Sequence, residues 1–136
     1  MMVNRPMVGG TAPRVLMAED EPDIALLLRE ALEDAGFTVT WAEDGAVALE
    51  QEARDPCDAL LTDVRMPNLD GVSLVRAVRE RRPALPIVVL SGYMTSIDRQ
   101  ALLLLGVPED RMLEKPVPLE HVAETLRLAL NSGARA

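Results

Sequence analysis

The sequence predicts an α/β fold: one doubly wound, five-stranded parallel sheet with helices on both faces. Three observations predict it. Short β-rich runs alternate five times with amphipathic runs of helical spacing. Every connection between them is short, which suits parallel strands joined by right-handed helical crossovers. The runs at 59–62 and 87–90 have no polar face, as central strands covered on both sides require.

Each element can be justified in turn. Arg14-Val15-Leu16-Met17-Ala18 is the first strand. Pro22 suits the first turn of a helix, where its missing N–H costs nothing. Ile24, Leu27, Leu28, Ala31, Leu32 and Ala35 then recur at 3.6-residue spacing as one buried stripe. Gly36 ends that helix at the position favouring glycine. Thr38-Val39-Thr40-Trp41 is β-rich. A second, weakly amphipathic helix is expected over 45–54, through Ala46, Leu49 and Ala53.

Ala59-Leu60-Leu61-Thr62 is a third strand that stops at Asp63, and Pro67, Asn68, Asp70 and Gly71 mark a loop. The third helix, over 72–81, presents Leu74, Val75 and Val78. Ile87-Val88-Val89-Leu90 runs into Ser91-Gly92, and a fourth helix covers 96–105. Arg111-Met112-Leu113 is the last strand, before Lys115-Pro116. The fifth helix, over 118–130, carries Leu119, Val122, Ala123, Leu126 and Leu130 on one side. Residues 1–13, with Pro6, Gly9, Gly10 and Pro13, read as a loose tail, 14–130 as one domain, and 131–136 as a frayed end.

Composition narrows the function. A chain of 136 residues fits one domain. Its apolar fraction of 49 % is spread along the chain, with one Trp, one Tyr and one Phe, so the core must be aliphatic. A formal net charge of −8 disfavours phosphate backbones, so direct nucleic-acid binding is not expected of the domain. One cysteine excludes an internal disulfide and a cysteine-based zinc site; Cys57, just before a strand, reads as a small buried thiol. No apolar run approaches the roughly 20 residues of a membrane span, and no signal-peptide core stands at the start, so a cytoplasmic location is expected.

The chemistry collects at the strand ends, where open α/β sheets bind ligands. The first strand ends at Glu19-Asp20-Glu21, the third at Asp63, the fourth at Ser91 and the fifth at Glu114-Lys115-Pro116. If the first and third strands are neighbours, Glu19, Asp20 and Asp63 lie close together. Like charges at that distance repel, and a hard divalent cation such as Mg²⁺ would relieve them. The competing reading of 19–21 alone is a solvated acidic helix start. Lys115 offers a point charge to Asp63 or a phosphoryl oxygen, and Ser91 a hydroxyl. A cis bond at Lys115-Pro116 would turn the chain tightly and aim the amine.

Taken together, these motifs resemble the receiver domains of two-component response regulators, over about residues 14–130. Val15 to Glu21 is similar to that family's first strand and acidic pair. Asp63-Val64-Arg65-Met66-Pro67 with Asp70-Gly71 is similar to its phosphoacceptor segment, Leu90-Ser91-Gly92 to the end of its fourth strand, and Lys115-Pro116 to its lysine and cis-proline. The resemblance implies a flavodoxin-like, CheY-like sheet of strand order 2-1-3-4-5. It implies that Asp63 is the nucleophile towards a phosphohistidine on a histidine kinase or phosphotransfer protein, assisted by Lys115 and Ser91. Asp20, Asp63 and the backbone carbonyl of Arg65 would hold Mg²⁺ (or Mn²⁺), with Glu19 acting through water. Output would pass from Ser91 to the face of helix 4, strand 5 and helix 5.

Three departures bear on this. The acidic pair is Glu-Asp where Asp-Asp is commoner. The aromatic switch position, three before the lysine, holds Met112; Tyr93 either substitutes for it or is a partly buried structural tyrosine. The 106–112 segment, with Pro108, Glu109, Asp110 and Arg111, is longer than usual, which leaves the shape of that edge open. His121, the only histidine, is expected to face outward on the last helix. Leu102-Leu103-Leu104-Leu105 either buries a helix on two sides or leaves a docking surface.

Rival readings share parts of the pattern. An FMN-binding carrier needs a hydroxyl- and glycine-rich first turn, and Glu19-Asp20-Glu21-Pro22-Asp23 would repel its phosphate. A haloacid-dehalogenase-type phosphohydrolase places a second Asp two residues after the nucleophile, where this chain has Arg65. A degenerate receiver that only binds proteins would not need Asp63, Ser91 and Lys115 together. The chain reads as a single-domain regulator, with a module of a longer protein left as the alternative.

Overall fold

A computed structural model describes residues 12–135; the remainder of the expected N-terminal tail lies outside them. Five strands form one parallel sheet in the order β2-β1-β3-β4-β5: β1 (Arg14–Ala18), β2 (Thr38–Ala42), β3 (Ala59–Thr62), β4 (Ile87–Ser91) and β5 (Met112–Glu114). The helices are α1 (Pro22–Asp34), α2 (Gly45–Arg54), α3 (Gly71–Arg81), α4 (Ser96–Leu104) and α5 (Leu119–Arg135).

Strand alternation divides the core between two faces. Val15, Met17, Ala59, Leu61, Val88 and Leu90 point to one side, under Leu28 and Leu32 of α1 and Val122 and Leu126 of α5. Leu16, Leu60, Ile87 and Val89 point to the other, under Ala48 of α2, Leu74 and Val78 of α3 and Leu102 of α4. This is the doubly wound arrangement that the alternating pattern predicts. Among the described residues, no helix is long and apolar enough to cross a membrane.

Several local expectations change. In α1 the buried stripe runs through Ala25, Leu28 and Leu32, while Leu27 is exposed. In α2 Ala46 and Ala53 face out, and Ala48 and Glu52 face in. Helix α5 continues to Arg135 rather than stopping near Leu130. Of the leucine run, Leu102 is fully buried and Leu104 is 89 % exposed, so α4 buries one side only. The long 106–112 edge is closed by buried Val107 and a 3-10 turn, Glu109–Arg111, pinned by an Arg99–Glu109 ion pair. His121 is exposed, as expected.

Buried Glu52 is explained by Arg81, the last residue of α3, and Arg82, which follows it; both reach its carboxylate. Arg82 also donates to the carbonyl of Cys57 at 2.8 Å. Cys57 is 5 % exposed, and burial, reinforced by the charge of Glu52, pushes its thiol up to about 11. A thiol that keeps its proton longer when folded contributes stability that is fully present below the unfolded value near 9 and is lost as pH rises through the folded one. Stability is therefore expected to fall between about pH 9 and 11, by on the order of 2 kcal/mol from this group. Iodoacetamide at pH 8 should leave the native thiol untouched and alkylate it in urea; fast labelling of native protein would contradict this.

Candidate functional site

The register of the sheet assembles the site. Ala18 pairs with Thr62, so Glu19 and Asp63 leave adjacent strands side by side. Ser91 pairs with Glu114, which brings Lys115 to the same edge. The ladder continues one step past each strand. Asp63 N–H donates to the Ala18 carbonyl at 3.1 Å, and Lys115 N–H to the Ser91 carbonyl at 2.9 Å. The Lys115-Pro116 peptide is cis.

Glu19, Asp20 and Asp63 bring carboxylate oxygens within 4.8 Å of one another. Lys115 Nζ sits 2.9 Å from Asp63 Oδ2 and 3.3 Å from Glu19 Oε1. The other Asp63 oxygen, Oδ1, accepts from the backbone N–H groups of Val64 at 2.6 Å and Arg65 at 3.3 Å. Glu19 is 2 % exposed, and its carboxylate accepts from the Glu21 N–H at 3.2 Å. Burial lifts the Glu19 carboxyl above its usual range, against the pull of Lys115. For Lys115, burial works against the charge, but the hydrogen bond and field of Asp63, with help from Glu19, hold the ammonium above its ordinary value.

Three carboxylates therefore face one ammonium. The donor set is all oxygen and anionic, and one of its members is almost fully buried. That chemistry suits a hard divalent cation. An open cleft of about 450 Å³ adjoins it, lined by Asp20, Arg65, Met66, Pro67 and Asp70.

The loop after β3 is fixed from below. Gly71 N–H donates to the Val64 carbonyl at 2.8 Å, and Asp70 caps α3 by accepting from Ser73 N–H at 2.8 Å. Asn68, in the left-handed region at φ 69°, donates to Asp44 at 2.7 Å. Asp44 also caps α2 by accepting from Val47 N–H at 2.8 Å, and these contacts together hold its carboxyl below its ordinary value. Trp41 donates its indole N–H to the Glu19 carbonyl at 2.7 Å, which steadies the acidic turn. The supporting contacts of Asp44, Asn68 and Trp41 join residues far apart in the chain and leave no local pattern in the sequence. Asp44 could have been found, since an Asp directly before a helix-starting glycine is a capping signal.

The remaining candidates sit at different distances from the chemistry. Ser91 is fully buried, and its hydroxyl donates to the Tyr93 carbonyl at 2.8 Å and accepts from the Tyr93 N–H at 3.2 Å. It is thus turned to the following loop, not to Asp63. Tyr93 is 66 % exposed, which overturns the partly buried alternative; the Arg65 guanidinium lies over its ring at 5.5 Å. Met112 opens β5, buried in the face that holds Leu102 and Val107.

A family model for the response regulator receiver domain matches residues 15–127. The chain belongs to that family. Transcriptional regulatory protein PrrA of Mycobacterium tuberculosis is 40 % identical over 129 residues, covering 94 % of this chain and 54 % of PrrA. Response regulator MprA of Mycobacterium leprae is 39 % identical over 117 residues, covering 86 % of this chain and 50 % of MprA. The receiver domain thus spans about half the length of these curated relatives. Among solved structures, Vibrio cholerae chemotaxis protein CheY4 superposes with a TM-score of 0.80 at 29 % identity, over 88 % of this chain and 99 % of that one. The receiver domain protein of Methanospirillum hungatei reaches 0.86 at 22 % identity, over 92 % and 98 %, a likeness of fold. The strand order and helix placement of the receiver domain agree with these neighbours.

Proposed function

We propose that Asp63 accepts a phosphoryl group from a phosphohistidine on a sensor histidine kinase or histidine phosphotransfer protein. A carboxylate oxygen of Asp63 attacks phosphorus; the new P–O bond forms as the P–N bond breaks, and the electron pair leaves with the imidazole nitrogen. The observation that carries this reading is the Asp63 carboxylate itself. It closes an apolar strand, is held by Lys115 and two backbone N–H groups, and stands beside Glu19 and Asp20, the second of which lines an open cleft.

Asp20, Asp63 and the Arg65 carbonyl would hold Mg²⁺ or Mn²⁺, with Glu19 acting through a water molecule. A bound divalent ion supplies neutralisation of charge on the phosphoryl oxygens. Lys115 adds a second positive charge on the same side, brought there by the pairing of β5 with β4. The Val64 and Arg65 N–H groups orient the attacking carboxylate. Ser91, whose hydroxyl now bonds the Tyr93 backbone, would turn towards a phosphoryl oxygen and pull the start of the loop that feeds α4. Readout would then pass through the face of α4, β5 and α5. Met112 adapts to several packings and should couple weakly. The domain acts as a phosphoacceptor in signalling, with no direct nucleic-acid role for this segment, and works in the cytoplasm.

The metal-dependent half of the reading has a direct test. An ion that binds only the folded state at ten times its Kd stabilises it by about 1.4 kcal/mol. For a domain of this size that raises the melting temperature by roughly 4–6 °C. Millimolar Mg²⁺ should produce such a rise in the wild type, and Asp20→Ala should remove most of it. A flat melting temperature in the wild type would mean that the acidic cluster is solvated surface.

A further inference from the structure

The two ends of α4 are held in unlike ways. At its C-terminal end, the guanidinium of Arg79 donates to the Leu105 carbonyl at 2.6 Å and the Gly106 carbonyl at 3.4 Å. The same group donates to the Leu85 carbonyl at 2.7 Å and the Arg82 carbonyl at 3.2 Å. Four carbonyls, two in the loop after α3 and two just past the end of α4, thus share one cation. At the N-terminal end the tie to the rest of the molecule is slighter. Thr95 and Asp98 form a capping box, and Asp98 Oδ2 accepts from the Thr95 N–H at 3.0 Å. The same oxygen accepts from Arg65 Nη2 at 2.7 Å. Arg65 is half exposed there and lies over the Tyr93 ring.

Arg65 therefore belongs to two places. Its backbone N–H bonds Asp63 Oδ1, and the residue lines the same cleft as Asp20. Yet its charge is spent on α4. We infer that Arg65 is a latch that holds the N-terminal end of α4 while Asp63 is unmodified and passes to the phosphoryl group once Asp63 carries one. The inference rests on the phosphoacceptor reading. A phosphoryl group brings roughly −1.5 to −2 charges and three acceptor oxygens. It can engage guanidinium in a bidentate pair, which a single shared carboxylate oxygen cannot match. Loss of Arg65 would leave Asp98 only its capping bonds. With Arg79 still clamping the far end, α4 would loosen at its first turn and swing about its last. Tyr93 would lose the cation over its ring in the same event, and its backbone is what engages Ser91. The two movements would reach the same loop.

Amide hydrogen exchange and amide chemical shifts on the full chain test this, with beryllofluoride plus Mg²⁺ as the phosphoryl mimic. An exposed ion pair and a cation–π contact together correspond to about a three- to tenfold change in local opening. Without the mimic, Arg65→Gln should speed exchange at 98–100 by that factor, Asp98→Asn should also speed it, and both should leave 103–107 unchanged. The double variant should fall short of the sum of the two single ones, because the Arg65–Asp98 bond is already broken in each. Arg65→Lys, which keeps a charge, should restore part of the protection. In the wild type the mimic should speed exchange at 98–100 to a similar extent, and in Arg65→Gln it should add little more. Unchanged exchange in Arg65→Gln, or an equal response to the mimic in both proteins, overturns the latch. If Val64 shifts with the mimic but 98–100 stay protected, the latch fails and the phosphoacceptor reading stands. If Val64 itself does not respond, that reading fails and takes the transfer of Arg65 with it.

Discussion

Replacing Gly71 with alanine is expected to destabilise the domain by about 3 kcal/mol or more and to dismantle the acidic pocket along with it. A Cβ at this position would stand 2.0 Å from the Asp63 carbonyl oxygen and 2.9 Å from the Asp63 carbonyl carbon and the Val64 Cα. All three are backbone atoms, so no rotamer change can relieve the clash. Relief requires the chain after β3 to move away from α3. That breaks the 2.8 Å bond from Gly71 N–H to the Val64 carbonyl and shifts the Val64 and Arg65 amides that hold Asp63 Oδ1. The melting temperature should fall by roughly 10 °C or more. The folded remainder should also lose most of its response to Mg²⁺. Gly92 provides the control. It lies at the same edge, and a Cβ there meets nothing within 4 Å. Gly92→Ala should stay within about 0.5 kcal/mol of the wild type. Equal melting of the two variants would show that the loop after β3 is not seated as described.

What the sequence made legible follows from which interactions leave a local trace. Strands β1, β3 and β4 are runs of apolar residues with polar stops, so both their existence and the residues at their ends could be read directly. Those ends are Glu19, Asp63 and Ser91, and the fold places them on one edge because parallel strands all finish on the same side. The carboxylate trio needed only the further assumption that β1 and β3 are neighbours. Lys115 could be seen as a strand-end lysine, but its ion pairs with Asp63 and Glu19 span 52 and 96 residues and have no local signature.

The errors have a similar origin. Hydrophobicity favoured Leu27 over Ala25 for the inner face of α1, whereas the small Ala25 is what fits beneath the sheet contact. In α2 the buried position belongs to Glu52, a charged residue that no periodicity rule would place inside. It becomes tolerable only because Arg82, 30 residues away, pairs with it. Likewise Ser91 could be recognised by its place, but not the direction of its hydroxyl, which depends on the backbone of Tyr93 two residues later. Hydroxyl direction and salt-bridge partner are tertiary facts, and they are where a sequence reading of this domain ends.

The second large effect concerns the covalent chemistry, where an all-or-none outcome is expected. Asp63 takes the shorter of the two Lys115 bonds, 2.9 Å against 3.3 Å to Glu19, and its other oxygen accepts from two backbone N–H groups where that of Glu19 accepts from one. Glu19 is 2 % exposed, and Lys115 reaches Glu19 and Asp63 but not Asp20, so neither neighbour should serve as the acceptor in its place. Asn at 63 keeps the shape and one acceptor oxygen but removes the anionic nucleophile, so the fold should survive while the reaction stops. The deciding measurement is the intact mass of the chain after incubation with acetyl phosphate, with and without Mg²⁺. The wild type should gain a single phosphoryl adduct only when Mg²⁺ is present, and Asp63→Asn should gain none. An undiminished adduct on Asp63→Asn would contradict the assignment of Asp63 as the phosphoacceptor.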